Sequence, residues 1–235
     1  MLTAFSLRLL ALMAMLTDHV GLALFPGIPA LRAVGRVSFV LYCFLLTEGF
    51  VYTRSRRAYL GRLVLFAVLS EVPFDLFLFA QVFQPLEQNV FFSLALALCA
   101  LQAIEYGTPR QPMLTAAALL GLCLAALLMR VSYAWLGILL CMCFYAYREN
   151  PLRRAVSVMA VEALYAATLF MGGESLSWSL MQLFSLGALL PIALYNGKRG
   201  NRALRGVFYA AYPLSLAVLY VIRTARILPP YLGIF

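Results

Sequence analysis

Long apolar stretches separated by short polar gaps run along the whole sequence. A helix needs about 20 apolar residues to cross a bilayer, and nine stretches approach or reach that length. Only Arg130, Val131 and Ser132 divide the fifth stretch from the sixth, so eight spans would result if this pair formed a re-entrant hairpin. The predicted spans are 4–25, 33–53, 63–82, 89–106, 113–129, 132–147, 155–171, 176–195 and 207–225. The pattern therefore predicts an all-α fold, a polytopic transmembrane helical bundle in a single domain over residues 1–235.

Composition supports a membrane protein. Hydrophobic residues make up 64% of the chain and charged residues 11%, whereas soluble domains carry about 25% charged residues. The net charge of +9 does not indicate nucleic-acid binding, because the basic residues lie in the short gaps between apolar stretches. That placement is typical of membrane topology and of contact with anionic headgroups. All five cysteines lie in apolar stretches and the chain has one histidine, so no metal site is expected.

The basic residues also predict an orientation, because cytoplasmic loops of membrane proteins are enriched in lysine and arginine. The gaps after spans two, four, six and eight hold twelve of them: Arg54, Arg56, Arg57, Arg62, Arg110, Arg148, Arg153, Arg154, Lys198, Arg199, Arg202 and Arg205. The opposite side holds five: Arg32, Arg36, Arg130, Arg223 and Arg226. We therefore predict that the N-terminus is cytoplasmic.

His19, the one histidine, follows Asp18 inside the first apolar stretch. Ionisable residues at membrane depth are rare and are functional candidates, and histidine exchanges protons near neutral pH. We therefore predict His19 as a general base and Asp18 as a second catalytic residue, with a structural role as the alternative for each. Neighbours on a helix point about 100° apart, so Asp18 is expected to pair with an arginine such as Arg36 instead of orienting His19.

Further polar residues are predicted at comparable depth. Glu71 and Asp75 lie four residues apart in the third span, on one face and on either side of Pro73. Either carboxylate could approach His19, and we predict Asp75 as the third catalytic residue. The residues predicted to bind substrate are Arg36, Glu48, Glu71, Gln88 and Asn89. Glu48, at the inner end of the second span, could instead cap nearby arginines.

Several short motifs in this order resemble the TraX family. They are Thr17-Asp18-His19-Val20-Gly21, Gly35-Arg36, Glu48-Gly49-Phe50, Ser70-Glu71-Val72-Pro73-Phe74-Asp75, Gln88-Asn89-Val90-Phe91-Phe92, Tyr195-Asn196-Gly197-Lys198-Arg199-Gly200 and Tyr212-Pro213-Leu214. The resemblance covers roughly residues 9–107 and 180–220. One position departs from it, because the family commonly has histidine where this chain has Ser215.

The resemblance implies an acetyltransferase of the inner membrane, since the family is named for a protein that N-acetylates conjugative pilin. Acetyl-CoA would be the donor and co-substrate, with no metal involved. The acceptor would be a pilin-like peptide N-terminus or an envelope glycan or lipid. Glycines and cations suit the phosphates of coenzyme A, so we predict that Asn196, Gly197, Lys198, Arg199 and Gly200 bind it. An ordinary cytoplasmic loop is the alternative.

Two other classes of function remain open. Intramembrane histidine and carboxylates also form proton relays, so a proton-coupled small-molecule transporter is the main alternative. Transporters often contain internal repeats with paired broken helices, and no second copy of the Asp-His or Pro-Phe-Asp motif is found. A non-catalytic assembly partner is less consistent with a polar midplane.

Overall fold

The structure is a computed structural model that describes residues 1–107, 111–201 and 205–225; for Arg205 it describes the backbone alone. Three of the basic residues used to predict the orientation, Arg110, Arg202 and Arg226, therefore lie outside the described residues. Within them the chain forms α-helices, one 3-10 helix and two isolated bridges, with no strand. The predicted all-α fold is confirmed.

Ten α-helices and one 3-10 helix are found in the described residues. They are α1 (Ala4–Leu24), α2 (Pro29–Tyr52), α3 (Arg56–Phe79), α4 (Val90–Gly107), α5 (Pro112–Leu128), α6 (Leu136–Ala146), α7 (Pro151–Met171), α8 (Leu176–Met181), the 3-10 helix (Gln182–Ala188), α9 (Leu189–Ala193) and α10 (Arg205–Thr224). Eight of the nine predicted spans correspond to one helix each. The predicted span 176–195 corresponds to α8, the 3-10 helix and α9 together.

Six helical segments in the described residues are long and apolar enough to cross a membrane. They are Ala4–Leu24, Pro29–Tyr52, Val90–Gly107, Pro151–Met171, Leu176–Ala193 and Gly206–Thr224. Helices α5 and α6 are apolar but shorter. Helix α3 is long enough but carries Arg62, Glu71 and Asp75 along its length. The chain is therefore a multi-helix membrane protein, and the six segments account for six of the nine predicted spans.

The described chain divides into two compact units. The first consists of Met1–Leu41, Leu69–Gln84 and the described part of Leu180–Phe235. In it α1 packs against α10, and the Ser38 hydroxyl of α2 donates to the carbonyl of Ala11 in α1 at 3.0 Å. Thr3 caps the first turn of α1 through a reciprocal pair of bonds with Ser6. These contacts place α1, with Asp18 and His19, between α2 and α10.

The second unit consists of Tyr42–Val68 and Pro85–Ser179. Here α4 packs against α5 and α6, and α6 packs against α7. Gln88 and Val131 form a bridge, in which the Ser132 N–H donates to the Gln88 carbonyl at 2.9 Å. This bridge holds the turn between α5 and α6, where Arg130, Tyr133 and Ala134 adopt left-handed backbone conformations.

Candidate functional site

The His19 imidazole lies buried inside the first unit, with 9% of the residue exposed. Its Nδ1 is 3.0 Å from the Ser215 hydroxyl of α10, which in turn donates to the carbonyl of Tyr212 at 2.8 Å. The rings of Tyr212 and Phe77 lie 5.6 Å and 5.9 Å from the imidazole, centroid to centroid. His19 is therefore held by one hydroxyl and two aromatic rings.

Phe77 is fixed in place by the last turn of α10. The Arg223 guanidinium donates to the Phe77 carbonyl at 2.9 Å and lies over its ring, 5.7 Å from the centroid. Arginine combines hydrogen bonding with stacking on aromatic faces. Two residues of α10, Ser215 and Arg223, thus fix the surroundings of His19, one directly and one through Phe77.

Asp18 contacts a different helix. Its Oδ2 accepts from Arg32 of α2 at 2.6 Å, with 16% of the Arg32 side chain and 19% of the Asp18 side chain exposed. The expected pairing with an arginine is present, but the direct contact is with Arg32, one turn before the predicted Arg36. Arg36 lies within electrostatic range of the same carboxylate. Asp18 therefore joins α1 to α2.

Asp75 is buried in the same unit but binds another partner. Its Oδ2 accepts from the backbone N–H of Gln84 at 2.8 Å, which ties α3 to the segment that follows it. Oδ1 is buried and has no hydrogen bond to the described residues. The group bonded to the imidazole is the Ser215 hydroxyl, and the catalytic role of Asp75 stays a prediction.

Three of the predicted substrate-binding residues lie in the second unit. The Asn89 side chain is fully buried; it donates to the Ala67 carbonyl at 2.7 Å and accepts from the Phe91 N–H. The Gln88 backbone forms the bridge to Val131, and Glu48 lies within electrostatic range of Arg154. These contacts give structural roles to the three residues. Their contact with substrate, like that of Arg36 and Glu71 in the first unit, stays a prediction.

The loop predicted to bind coenzyme A packs against the start of α1. Backbone bonds join Leu2 to Leu194 and Asn196, and Ala4 to Lys198. Gly200 has a φ of +67°, and a Cβ there would lie 2.7 Å from the Thr3 hydroxyl. The glycines are thus explained by backbone conformation and close packing. The side chains of Lys198 and Arg199 are exposed and remain the groups predicted to meet phosphates.

Sequence reasoning missed the residues that surround His19 in space. The motifs show Ser215 only as a departure from the family pattern and predict no contact with His19. Arg32 and Arg223 enter the sequence analysis only through the predicted orientation. Phe77 and Tyr212 have no predicted role, since aromatic residues are common in apolar stretches. The TraX family commonly has histidine at the position of Ser215, and this was the one sequence feature that could have indicated a position facing the site.

Comparison with known proteins agrees with the motifs. The family model described as TraX protein matches residues 4–223. The chain is 31% identical to the "Probable fimbrial assembly protein FimC, serogroup H1" of Dichelobacter nodosus, over 92% of this chain and 94% of that protein. It is 30% identical to the "Uncharacterized protein RP591" of Rickettsia prowazekii (strain Madrid E), over 40% of this chain and 34% of that protein. No solved structure matches significantly. With a match over nearly its whole length, and with the family's motifs at His19 and around it, this chain belongs to the TraX family.

Proposed function

We propose that this protein is a membrane acetyltransferase that moves an acetyl group from cytoplasmic acetyl-CoA to an acceptor at the outer side of the inner membrane. The observation that carries the proposal is the buried imidazole of His19, held by Ser215, Tyr212 and Phe77 in a member of the TraX family. A folded protein gains little from placing an ionisable ring at this depth, so a chemical role explains it better.

In the proposed reaction the acceptor's amine or hydroxyl attacks the carbonyl carbon of the thioester. A C–N or C–O bond forms, the C–S bond breaks, and coenzyme A leaves as a thiolate. His19 takes the proton from the attacking atom and returns it to the thiolate, so the enzyme ends unchanged. General-base assistance of this kind contributes about 10²–10⁴-fold to rate.

The names of the relatives suggest which molecule could be the acceptor. FimC is named a probable fimbrial assembly protein, and the TraX resemblance concerns acetylation of a pilin. We propose the N-terminal amine of a fimbrial or pilin-like subunit as the acceptor, with an envelope glycan or lipid as the other possible outcome of the test. Arg36, Glu71 and the Asp18–Arg32 pair are charged groups of the first unit that could contact such an acceptor.

The experiment uses purified protein in nanodiscs with radiolabelled acetyl-CoA and, in separate arms, an N-terminal pilin peptide, a lipid extract and an envelope glycan. We expect label transfer to the peptide and a loss of about 10²–10⁴-fold in His19→Ala. Met13→Ala, which also shortens an α1 side chain but one that is 55% exposed, is the control and should keep full activity. Full activity in His19→Ala would contradict the catalytic role of His19. The absence of transfer to any of the three acceptors would contradict the proposed acetyltransferase function.

Donor binding gives a second prediction. Lys198→Gln with Arg199→Gln should raise KM for acetyl-CoA and leave kcat nearly unchanged, because phosphate contacts act on the ground state and the transition state alike. Arg148→Gln with Arg153→Gln is the matched control, since both residues are exposed and are predicted on the same side. An unchanged KM in the first double variant would show that the loop from Asn196 to Gly200 is an ordinary cytoplasmic loop that does not bind acetyl-CoA.

One observation favours the transporter as a second candidate. Asp75 is fully buried, and one of its oxygens has no hydrogen bond to the described residues, as expected for a carboxylate that exchanges a proton. Proteoliposomes with an internal pH dye would test this. A proton flux in the wild type that Asp75→Asn abolishes, without any acetyl transfer, would favour transport over catalysis.

A further inference from the structure

The Ser215 hydroxyl makes two close polar contacts that constrain where its single proton lies. Its Oγ is 2.8 Å from the carbonyl oxygen of Tyr212, one turn earlier in α10, and 3.0 Å from Nδ1 of His19. A hydroxyl has one proton to donate and two lone pairs that accept, whereas a carbonyl oxygen only accepts. The Tyr212 contact is therefore a hydrogen bond only if Ser215 is its donor.

The alternative arrangement is less favourable. If Ser215 donated to Nδ1, the oxygen lone pairs of Ser215 and Tyr212 would face each other at 2.8 Å with no proton between them. Two oxygen atoms that meet through their lone pairs at this distance repel each other, most of all at the low dielectric of a protein interior. With the proton directed to Tyr212, both contacts become hydrogen bonds, and Nδ1 must then carry a proton of its own.

We propose that Ser215 is a positioning residue that holds neutral His19 with its proton on Nδ1, so that Nε2 carries the lone pair and acts as the base. The tautomer follows from the two contacts alone; its catalytic consequence rests on the proposed function. The acceptor's proton then passes to Nε2 as the acceptor forms its C–N or C–O bond to the acetyl carbon and the C–S bond of the thioester breaks. Nε2 returns the proton to the coenzyme A thiolate, and Nδ1–H remains bonded to Ser215 throughout. The other ring nitrogen of a histidine is commonly fixed by such a bond.

This assignment also explains the departure from the family motif. The chain has serine where the family commonly has histidine, and the structure places that position in contact with the imidazole of His19. A serine in a helix can bond the backbone carbonyl three residues before it, which turns its oxygen into an acceptor toward Nδ1–H. The hydroxyl thus provides what the imidazole needs without a second titrating ring.

The tautomer can be read directly, because His19 is the one histidine in the chain. Protein labelled with ¹⁵N-histidine, and purified with a tag that contains no histidine, gives ring signals from this residue alone. Couplings to the two ring C–H protons distinguish Nε2 from Nδ1. At a pH at which the ring is neutral, we expect a pyrrole-type signal for Nδ1 and a pyridine-type signal for Nε2. The reverse assignment in the wild type would overturn the proposal.

Variants connect the tautomer to catalysis. Ser215→Ala should allow both tautomers and lower kcat by about tenfold, with KM little changed, since one hydrogen bond is lost. Ser215→Thr keeps the hydroxyl and should restore both the spectrum and kcat. Ser157→Ala removes a serine with the same kind of backbone bond, 3.0 Å to Arg154, and should change neither.

The outcomes separate this inference from the proposed function. An unchanged spectrum, or an unchanged kcat, in Ser215→Ala would overturn the positioning role while leaving acetyl transfer intact. Full activity in His19→Ala would overturn the proposed function, whatever tautomer the wild-type spectrum shows.

Discussion

Asp18 and His19 are neighbours in α1, yet their side chains contact different helices. The turn of about 100° between successive residues directs Asp18 toward Arg32 of α2 and His19 toward Ser215 of α10. One dipeptide therefore supplies an ion pair on one side of α1 and a polar ring on the other. The geometry of α1 thus separates the ion pair with α2 from the imidazole that faces α10.

The Asp18–Arg32 pair gives a stability prediction. Arg32→Gln removes the direct partner of a partly buried carboxylate, and breaking a buried pair costs about 3–5 kcal/mol; the partial exposure here should bring the loss toward the lower end. The double variant Arg32→Gln with Asp18→Asn should recover part of the loss, because the side chain that lost its direct partner is then neutral. Thermal unfolding in detergent measures both.

An exposed ion pair in the same chain provides the control. Arg148 and Glu149 are 3.5 Å apart, with 50% and 87% of their side chains exposed, so Arg148→Gln should cost less than about 1 kcal/mol. Equal losses in Arg32→Gln and Arg148→Gln would contradict a structural role for the Asp18–Arg32 pair.

The sequence could predict that Asp18 meets an arginine, but it could not identify the partner. Arg32 and Arg36 are four residues apart and lie on one face of α2, so spacing does not distinguish them. The contact between His19 and Ser215 spans nearly the whole chain and depends on how α10 packs against α1. The hydrophobicity of the first apolar stretch predicts that His19 is buried. It does not predict which residues contact the imidazole, because those contacts depend on how the helices pack.

At the scale of elements, α1 and α2 approach closely at two motif glycines. A Cβ at Gly35 would overlap the side chain of Asp18, and a Cβ at Gly21 would lie 2.7 Å from the Cβ of Leu31. Both glycines belong to the motifs that carry the family resemblance. Their role is helix packing, which lets the Asp18–Arg32 pair form between neighbouring helices.

Gly35→Ala should therefore destabilise the protein. The new methyl group would meet the first atoms of the Asp18 side chain, which cannot move without a shift of the helix, and overpacking of this kind costs about 1–3 kcal/mol. Gly61→Ala in α3 is the control: it has open space around it and should gain about 0.5–1 kcal/mol from helix propensity. A melting temperature that rises in both variants would contradict close packing of α1 against α2 at Gly35.

Two of the predicted spans differ clearly in their boundaries or continuity from the helices of the structure. Predicted span 63–82 corresponds to α3 at Arg56–Phe79, because the arginines before residue 63 continue the helix although they are too polar for the bilayer interior. Predicted span 176–195 is interrupted by the 3-10 helix Gln182–Ala188. Pro191 follows it within α9, and proline disturbs the turn before it by removing a backbone donor. Apolar length alone did not reveal this break.

At the scale of the whole molecule, a bridge in the first unit constrains the number of membrane crossings. Leu2 pairs with Tyr195 through backbone bonds of 2.8 Å and 2.9 Å, so the start of α1 and the end of α9 lie next to each other. In any arrangement in which both ends reach the membrane surface, an even number of crossings separates them. The nine-span arrangement places eight crossings before Tyr195. A re-entrant hairpin of the fifth and sixth stretches enters and leaves on one side, so it would leave six crossings, which is also an even number. The Leu2–Tyr195 bridge therefore agrees with the predicted nine spans and equally with the arrangement that contains a re-entrant hairpin.

A second bridge, inside the other unit, concerns the number of crossings made by α4 and α5. Gln88 pairs with Val131, and α4 and α5 lie between them, which again gives an even number if each helix crosses. Helix α5 is short for a span, with 17 residues, and α6 has 11. The pairing nevertheless places the start of α4 and the end of α5 on one face, as the nine-span arrangement requires.

Single cysteines in a cysteine-free background should test this topology. Asn201→Cys should react with an impermeant reagent only after the cytoplasmic face is opened, whereas Glu174→Cys and Glu87→Cys should react from outside, since all three residues are exposed. Glu174 is preferred to the adjacent Gly173, whose φ of +99° would strain any side chain. The nine-span arrangement places four crossings between Glu87 and Glu174, so labelling of these two residues from opposite sides would contradict it. Labelling of Glu174 and Asn201 from the same side would also contradict it, because one crossing is predicted between them.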